Sequence, residues 1–148
     1  MERTATAIWR GGPGAGEGQV TTSSGVIQKA LYAFGSSFGS EPCTSPSEML
    51  AAALSSCITM MVSQELARLG LRSESVRAEA TLTLNEVDQR WTITKAHVKL
   101  SVQVPEVDPG QFNKAIAAAT EKCPISRALN IDVSVDSKLE PVFIHTNA

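Results

Sequence analysis

The sequence has no excess of either charge. Its 148 residues carry 13 Lys and Arg against 15 Asp and Glu, which gives a formal charge of −2. Proteins that bind the phosphate backbone of a nucleic acid usually present a strongly basic surface. We therefore expect no nucleic-acid partner, and a chain of this length can bury a core of its own without disulfides.

Long apolar segments are also missing. The longest stretch without a charged residue runs from Met49 to Gln64, whereas a helix that spans a bilayer needs about 20 apolar residues. The opening sequence, MERTATAIWRGG, includes Glu2 and lacks the apolar core of a secretory signal. We expect a cytoplasmic protein with no membrane partner, in which the cysteines are thiols or ligands and form no permanent disulfide framework.

Metal-binding patterns are absent as well. The two histidines are His97, on a strand where it should be solvated, and His145, near the end of the chain. The cysteines, Cys43, Cys57 and Cys123, form no Cys-x-x-Cys pair. Zinc sites need three or four closely grouped nitrogen, sulfur or oxygen ligands. The sequence therefore predicts no metal and no other cofactor.

The apolar pattern predicts an α+β fold in a single domain, residues 1–148, with a loose tail from about Glu140. The expected architecture is a mainly antiparallel sheet with a long central helix and further helices on one face. The predicted strands are Thr4–Trp9, Gln19–Ser23, Val76–Leu84, Trp91–Val104 and a last one through Ile131, Val133 and Val135. Residues 28–44 should be mostly irregular, and a change of parity predicts a β-bulge near Thr94 and Lys95.

The long helix is predicted from Pro46 to about Leu69, where the next residue is a glycine that ends it. Ser45 fits the N-cap, and Glu48 stands three residues later, as in a capping box. Apolar side chains between residues 49 and 62 point in all directions. That pattern is typical of a helix buried on most faces, by its own domain or by a partner subunit.

Two of the cysteines lie in contrasting environments. Cys57 lies some ten residues into the long helix, where a free cysteine is most often a small buried hydrophobe. Cys123 precedes Pro124 at the start of a short helix, after a helix predicted over Pro109–Lys122 and capped by Asp108. A helix start favours a thiolate, although the same position also suits an ordinary N-cap. Spacing alone leaves both structural and redox roles open.

These cysteine contexts resemble those of the OsmC/Ohr family, the osmotically inducible and organic-hydroperoxide-resistance proteins. The run TSPSEMLAAALSSC ends at Cys57, the run KCPIS contains Cys123, and TTSSGV follows the Gly-rich loop. The order of elements is also similar, and the resemblance extends from about Thr4 to Leu139, closest to the OsmC branch. It implies an intertwined homodimer whose long helices form the shared centre, with two active sites at the subunit boundary.

The resemblance also implies a chemistry. In the family, the cysteine that matches Cys57 attacks the distal oxygen of an organic hydroperoxide and becomes a sulfenic acid. The cysteine that matches Cys123 then resolves it as an intramolecular disulfide, which a dithiol reductant reopens. The implied protein is a cysteine-based peroxidase with Cys57 and Cys123 as its catalytic residues.

The sequence departs from the family where the nucleophile needs a positive charge. The OsmC branch supplies an arginine from the loop before the helix and a glutamate that holds it, and the matching positions here are Ser37 and Ser47. Arg10 and Arg127 are candidate substitutes for the arginine. Glu48, one residue later, either replaces the glutamate or only caps the helix. The third thiol, Cys43, is either a bystander or an alternative resolving cysteine.

The missing pair supports a second hypothesis. Burial without a cation raises the pKa of a thiol, and a thiol at or above the free value of about 8.5 reacts slowly at neutral pH. The chain would then be a non-peroxidatic OsmC-like dimer that binds a small hydrophobic ligand or acts as a slow thiol redox sensor. A third hypothesis, a purely structural dimer, requires Cα separations of Cys57 and Cys123 beyond about 7 Å.

Overall fold

A computed structural model describes residues 1–33, 37–38 and 41–142 and confirms the α+β class. The chain forms two compact units, residues 1–50 and 51–148, which are described separately below. The single-domain organisation stays a prediction. The elements in chain order are β1 (Ala5–Arg10), β2 (Glu17–Thr22), β3 (Ala30–Tyr32), β4 (Ser37–Phe38), β5 (Glu41–Pro42), α1 (Pro46–Arg68), β6 (Ser75–Val87), β7 (Arg90–Gln103), α2 (Pro109–Lys122), α3 (Pro124–Ala128) and β8 (Val133–Glu140).

The first unit contains the predicted hairpin of β1 and β2, and β3 adds a third antiparallel strand. The prediction that residues 28–44 are irregular was partly wrong, because β3, β4 and β5 lie there. A close contact explains why β3 sits where it does. The Tyr32 ring covers Gly18, where an added Cβ would lie 2.6 Å from the ring. A three-residue strand is too short to show a period in the sequence.

The start of α1 follows the predicted cap. The Ser45 hydroxyl accepts a hydrogen bond from the backbone N–H of Glu48 at 3.2 Å, which satisfies one of the unpaired donors of the first turn. The helix ends at Arg68, and Gly70 follows with φ +76. Within the described residues no bond returns from the Glu48 carboxylate to the Ser45 backbone, so half of the capping box forms.

A single stripe of α1 is buried in this chain. Leu54, Ile58, Val62 and Leu66 are fully buried, and their spacing of four places them on one helix face. Met60, on another face, is 71% exposed. The single chain thus covers one side of the helix, and burial of its other faces by a partner subunit stays a prediction.

By length and composition alone, the 23-residue α1 could cross a membrane. The sequence argument counted only the uncharged run from Met49 to Gln64, which is shorter than this helix. A core helix of a soluble protein meets the same criteria, and the buried stripe of α1 belongs to the chain's own hydrophobic core. The absence of a membrane partner stays a prediction.

The second unit has a sheet of order β6-β7-β8. The turn between β6 and β7 is Asp88-Gln89, both with positive φ, as in a tight hairpin. The predicted bulge is confirmed, because Thr83 pairs with Lys95 and Leu84 with Ile93, which leaves Thr94 unpaired. The strands are mainly antiparallel as predicted, but within the described residues they form three sheets, and β8 runs parallel to β7.

The core of the second unit lies between one face of β7 and the helices. Side chains of α1, α2 and β7 form one cluster there, including Leu54, Ile58, Val98, Phe112 and Ala119. The bulge at Thr94 determines which alternate residues of β7 face the core. This packing brings the middle of α1 close to the end of α2.

The last two helices meet at Cys123. The Asp108 carboxylate accepts a hydrogen bond from the Gln111 N–H at 3.0 Å, so the predicted cap of α2 is confirmed. Cys123 ends α2 and caps α3, because its backbone N–H bonds Ala119 and its sulfur accepts from the Ser126 N–H. β8 continues to Glu140, beyond its predicted end, and residues 143–148 with His145 lie outside the described residues.

Replacing Asp108 with alanine should lower the free energy of unfolding by about 1 kcal/mol, because the α2 start loses its side-chain acceptor. Urea unfolding followed by far-ultraviolet circular dichroism measures the change. Asp108→Asn is the matched control, since asparagine caps about as well as aspartate. An asparagine variant as unstable as the alanine variant would contradict a capping role.

Candidate dithiol site

The two thiols that the resemblance singles out are in contact. Cys57 Sγ and Cys123 Sγ lie 2.8 Å apart, although 66 residues separate them in the chain. No disulfide joins them in this structure. The structural hypothesis required the two residues to be too far apart to bridge, and this contact removes that condition.

Local structure explains how each sulfur reaches the contact. Cys57 precedes the buried Ile58 on α1, so it lies beside the stripe that packs on the core. Cys123 is held at the α2–α3 junction, where Pro124 supplies the fixed φ of the first helical position. Both ends are thus set by regular elements and not by a loose loop.

The two sulfurs differ in exposure. Cys123 is 0% exposed, whereas Cys57 is half-buried. In the single chain, solvent therefore contacts residue Cys57 and not Cys123.

Hydrogen bonding places the negative charge of the pair on Cys123. Burial raises the pKa of the Cys57 thiol, and the hydrogen bond to Cys123 raises it further. Burial also opposes ionisation of Cys123, but bonds from Cys57 and from Ser126 and Ile125 outweigh it and lower the pKa of that thiol. Two groups this close titrate as a coupled pair. The pKa directions therefore favour the first thiolate at Cys123, although the sulfur–sulfur geometry of this structure fits Cys123 Sγ as the donor to Cys57 Sγ.

Ser126 contributes a second polar group to the site. Its Oγ is fully buried and meets no partner at hydrogen-bond geometry among the described residues. The same hydroxyl nevertheless lowers the pKa of Cys123, so it lies near the sulfur. A buried hydroxyl without an acceptor is unfavourable, and a thiolate at Cys123 would supply one.

In the single chain Arg127 is not among the groups that shift the pKa of either thiol, and its substitution for the missing arginine stays a prediction. Its side chain is exposed, and no Lys or Arg of the described second unit is among the groups that shift the pKa of either thiol. Arg10 belongs to the first unit, and the Ser37 side chain lies outside the described residues. Substitution of the missing arginine by Arg10 stays a prediction.

The positions that match the family's glutamate take part in the cap of α1. The Ser47 hydroxyl lies 3.1 Å from the Ser45 hydroxyl, and Glu48 donates its backbone N–H to Ser45 while its side chain is exposed. Among the described residues the Glu48 carboxylate makes no bond to the cap, so whether Glu48 replaces the glutamate or only caps the helix stays open. Cys43 is half-buried in the segment before α1, and its role stays open.

A buried ion pair near the thiols escaped the sequence analysis. The Glu65 side chain, 8% exposed, accepts hydrogen bonds from Lys122 Nζ at 2.9 and 3.0 Å and pairs with Arg68 at 3.0 Å. Lys122 immediately precedes Cys123, so this bridge ties the end of α2 to α1. One signal was available, because Glu65 stands seven residues after Ile58 and so falls on the buried face.

His97 is also less solvated than predicted. Its Nδ1 lies 2.7 Å from Ser134 Oγ and its Nε2 lies 3.2 Å from Asp136 Oδ2, which links the parallel strands β7 and β8. Asp136 is 83% exposed, so these side chains form a hydrogen-bonded link at the surface and lack the buried carboxylate of a catalytic triad. Across the described residues no three His, Cys, Asp or Glu side chains group as metal ligands, and the absence of a metal stays a prediction.

An α+β chain with two thiols in contact is a dithiol protein, able in principle to form and reopen one disulfide. The chain belongs to the OsmC family, since the family model described as OsmC-like protein matches residues 39–138. It is 33% identical over 140 residues to peroxiredoxin OsmC of Escherichia coli, which covers 95% of this chain and 98% of that protein. The Shigella flexneri peroxiredoxin OsmC matches equally well.

Solved structures agree on the fold. An OsmC-like protein of unknown function from Vibrio cholerae superposes with a TM-score of 0.77 at 19% identity, over 93% of this chain and 99% of that one. The organic hydroperoxide resistance protein OhrB of Bacillus subtilis gives 0.68 at 24% identity, over 91% and 98%. The fold prediction is therefore confirmed, as is the predicted family.

Thiolate formation should show two separate steps when measured by ultraviolet absorbance in a Cys43→Ser background. One step should lie below the ordinary thiol value of about 8.5 and one above it, because Cys123 is stabilised as a thiolate and Cys57 is not. Adding Cys57→Ala should move the Cys123 step upward, because the bond from Cys57 that lowers its pKa is lost, and adding Cys123→Ala should move the Cys57 step downward, because the bond that raises its pKa is lost. Two thiols that titrate together near the ordinary value would contradict the charge assignment.

Replacing Glu65 with glutamine should lower the free energy of unfolding by about 1–2 kcal/mol, because a buried carboxylate with two bonds to Lys122 is lost. The half-exposed lysine retains water, which keeps the cost below that of a fully buried pair. Arg68→Ala is the control, expected to cost less than about 1 kcal/mol since Arg68 is 56% exposed. Equal effects in urea unfolding would contradict the greater weight of the Lys122 bridge.

Proposed function

We propose that this protein is a thiol-dependent peroxidase that reduces organic hydroperoxides, with Cys57 as the nucleophile and Cys123 as the resolving thiol. Its family and its likeness to a peroxiredoxin support a peroxidase-type role in general. The observation that carries the finer proposal is the 2.8 Å contact between the two sulfurs. Two sulfurs already in contact need only a short further approach to reach the bond length of a disulfide.

The proposed reaction has two steps and needs no cofactor. Cys57 is the accessible sulfur, so it attacks the distal oxygen of the peroxide, which forms an S–O bond as the O–O bond breaks and releases the alcohol. Cys123 then attacks the Cys57 sulfenic acid, which forms the disulfide and releases water. A dithiol reductant returns both sulfurs to the thiol state.

The working form in this proposal is a homodimer. The chain covers one stripe of α1 and leaves apolar residues such as Met60 in solvent. A second copy of the same helix is the occupant that the family resemblance implies for that face. The proposal further places the protein in the cytoplasm, with neither a nucleic acid nor a membrane as partner.

A second candidate function has support in the same site. Burial raises the pKa of Cys57, and the described second unit brings no cation to it. These facts favour an OsmC-like dimer that oxidises slowly as a thiol redox sensor. A non-peroxidatic dimer that binds a small hydrophobic ligand is the other form of this alternative.

Consumption of cumene hydroperoxide or tert-butyl hydroperoxide with a dithiol at neutral pH tests the proposed function. The wild type should turn over, and Cys57→Ser should fall to the uncatalysed rate, because the accessible sulfur is lost. Cys43→Ser is the matched control and should retain turnover and the Cys57–Cys123 disulfide, detected by peptide mass spectrometry. Wild-type turnover no faster than that of Cys57→Ser would reject the peroxidase and leave the sensor.

A further inference from the structure

Cys57 needs a group that removes its proton. We propose that Cys123 is that group: before it resolves the sulfenic acid, the Cys123 thiolate accepts the Cys57 proton as Cys57 attacks the peroxide. The inference rests on the proposed peroxidase function and assigns Cys123 a second role in it. In this proposal Cys123 acts as a base in place of the arginine cation that the family uses.

Contact geometry leaves Cys123 as the acceptor. Its sulfur lies 2.8 Å from the Cys57 sulfur, within the reach that proton transfer requires. Among the described residues of the second unit, Cys123 is the one titratable group that shifts the pKa of Cys57. The face of β7 that packs on the helices is apolar. No charged side chain on the three helices of this unit shifts the pKa of either thiol. These side chains are Glu65, Arg68, Lys114, Glu121, Lys122 and Arg127.

The surroundings of Cys123 suit a sulfur that carries the charge. The Ser126 N–H donates to Cys123 Sγ at 3.5 Å, and the Ser126 hydroxyl is buried beside it with no other acceptor in the described chain. Cys57 receives one backbone bond, from Ile125. These groups favour the charge on Cys123 once the pair has lost one proton, while Cys57 is the more exposed of the two residues.

The proton balances over the first step. The Cys57 thiol passes its proton to the Cys123 thiolate, and the Cys57 thiolate attacks the distal oxygen of the peroxide. Two electrons of Cys57 form the S–O bond, the O–O bond breaks, and the departing alkoxide takes the proton from the Cys123 thiol to leave as the alcohol. Cys57 ends as a sulfenic acid, and Cys123 is again a thiolate.

The second step follows from that end state. The Cys123 thiolate is regenerated in contact with the newly formed sulfenic acid, so it attacks Cys57 without a further deprotonation. The S–S bond forms, and the hydroxide that leaves takes a proton from solvent to become water. One sulfur thus acts in turn as base, acid and resolving nucleophile.

Single-turnover formation of the Cys57 sulfenic acid, without reductant, separates this role from resolution. Cumene hydroperoxide is mixed with the Cys43→Ser protein, and the total of sulfenic acid trapped by dimedone and of disulfide is followed by mass spectrometry. In Cys123→Ser the first step should slow by at least about tenfold at neutral pH, because the base is lost. The rate should recover at high pH, where Cys57 ionises in solvent, which a general loss of structure would not produce.

A milder variant keeps both sulfurs. Ser126→Ala removes the hydroxyl beside Cys123, and it should lower the neutral-pH rate severalfold and move the rise of the rate to higher pH. Ser56→Ala is the control, because that hydroxyl bonds the backbone of its own helix at Ala53, and its rate should equal that of the parent. A shift of the pH–rate profile of Ser126→Ala to higher pH supports the proposal even where Cys123→Ser does not fold.

Three results would overturn the inference. If Cys123→Ser forms the sulfenic acid as fast as the parent at neutral pH, or Ser126→Ala matches Ser56→Ala, Cys123 is not the base although the peroxidase stands. If the parent itself forms no sulfenic acid with the peroxide, the proposed function fails and takes this inference with it.

Discussion

The contact between two sulfurs is the constraint on which the rest of the site depends. Cys57 comes from the middle of a long helix and Cys123 from the junction of two shorter ones, and the core between α1, α2 and β7 brings them to 2.8 Å. At that distance each thiol is part of the other's environment. Exposure and charge are divided between them, since Cys57 is the sulfur that solvent reaches and Cys123 is the one that hydrogen bonds stabilise as a thiolate.

The difference between the two thiols bears on how Cys57 could be deprotonated, a question that the sequence raised. A thiol in an apolar helix ionises with difficulty, and the family's arginine and glutamate positions are serines here. Ser47 lies beside Ser45 in the cap of α1, and Arg127 remains exposed at the surface. N–H groups and a hydroxyl at Cys123 instead favour a thiolate there, and in the proposed reaction the acceptor of the Cys57 proton and its resolving partner are the same atom.

Much of the fold could be predicted because its signals are local. Ser45 and Asp108 precede helices that start with proline, and a break in alternation marks the bulge at Thr94. The pairing of Cys57 with Cys123 rested on a family resemblance, because a spacing of 66 residues carries no geometric information. The short strand β3 and the Glu65–Lys122 bridge depend on contacts between distant segments. Patterns within a single helix or strand do not contain such contacts.

The single buried stripe of α1 has a thermodynamic consequence. A chain that leaves much of an apolar helix in water gains stability from whatever covers it, in proportion to the area removed from solvent. When the cover is another copy of the same chain, mass action applies, and the melting temperature rises with protein concentration. Dilution then weakens the fold as well as the assembly, so the abundance of this protein would help set how firmly its two sulfurs are held together.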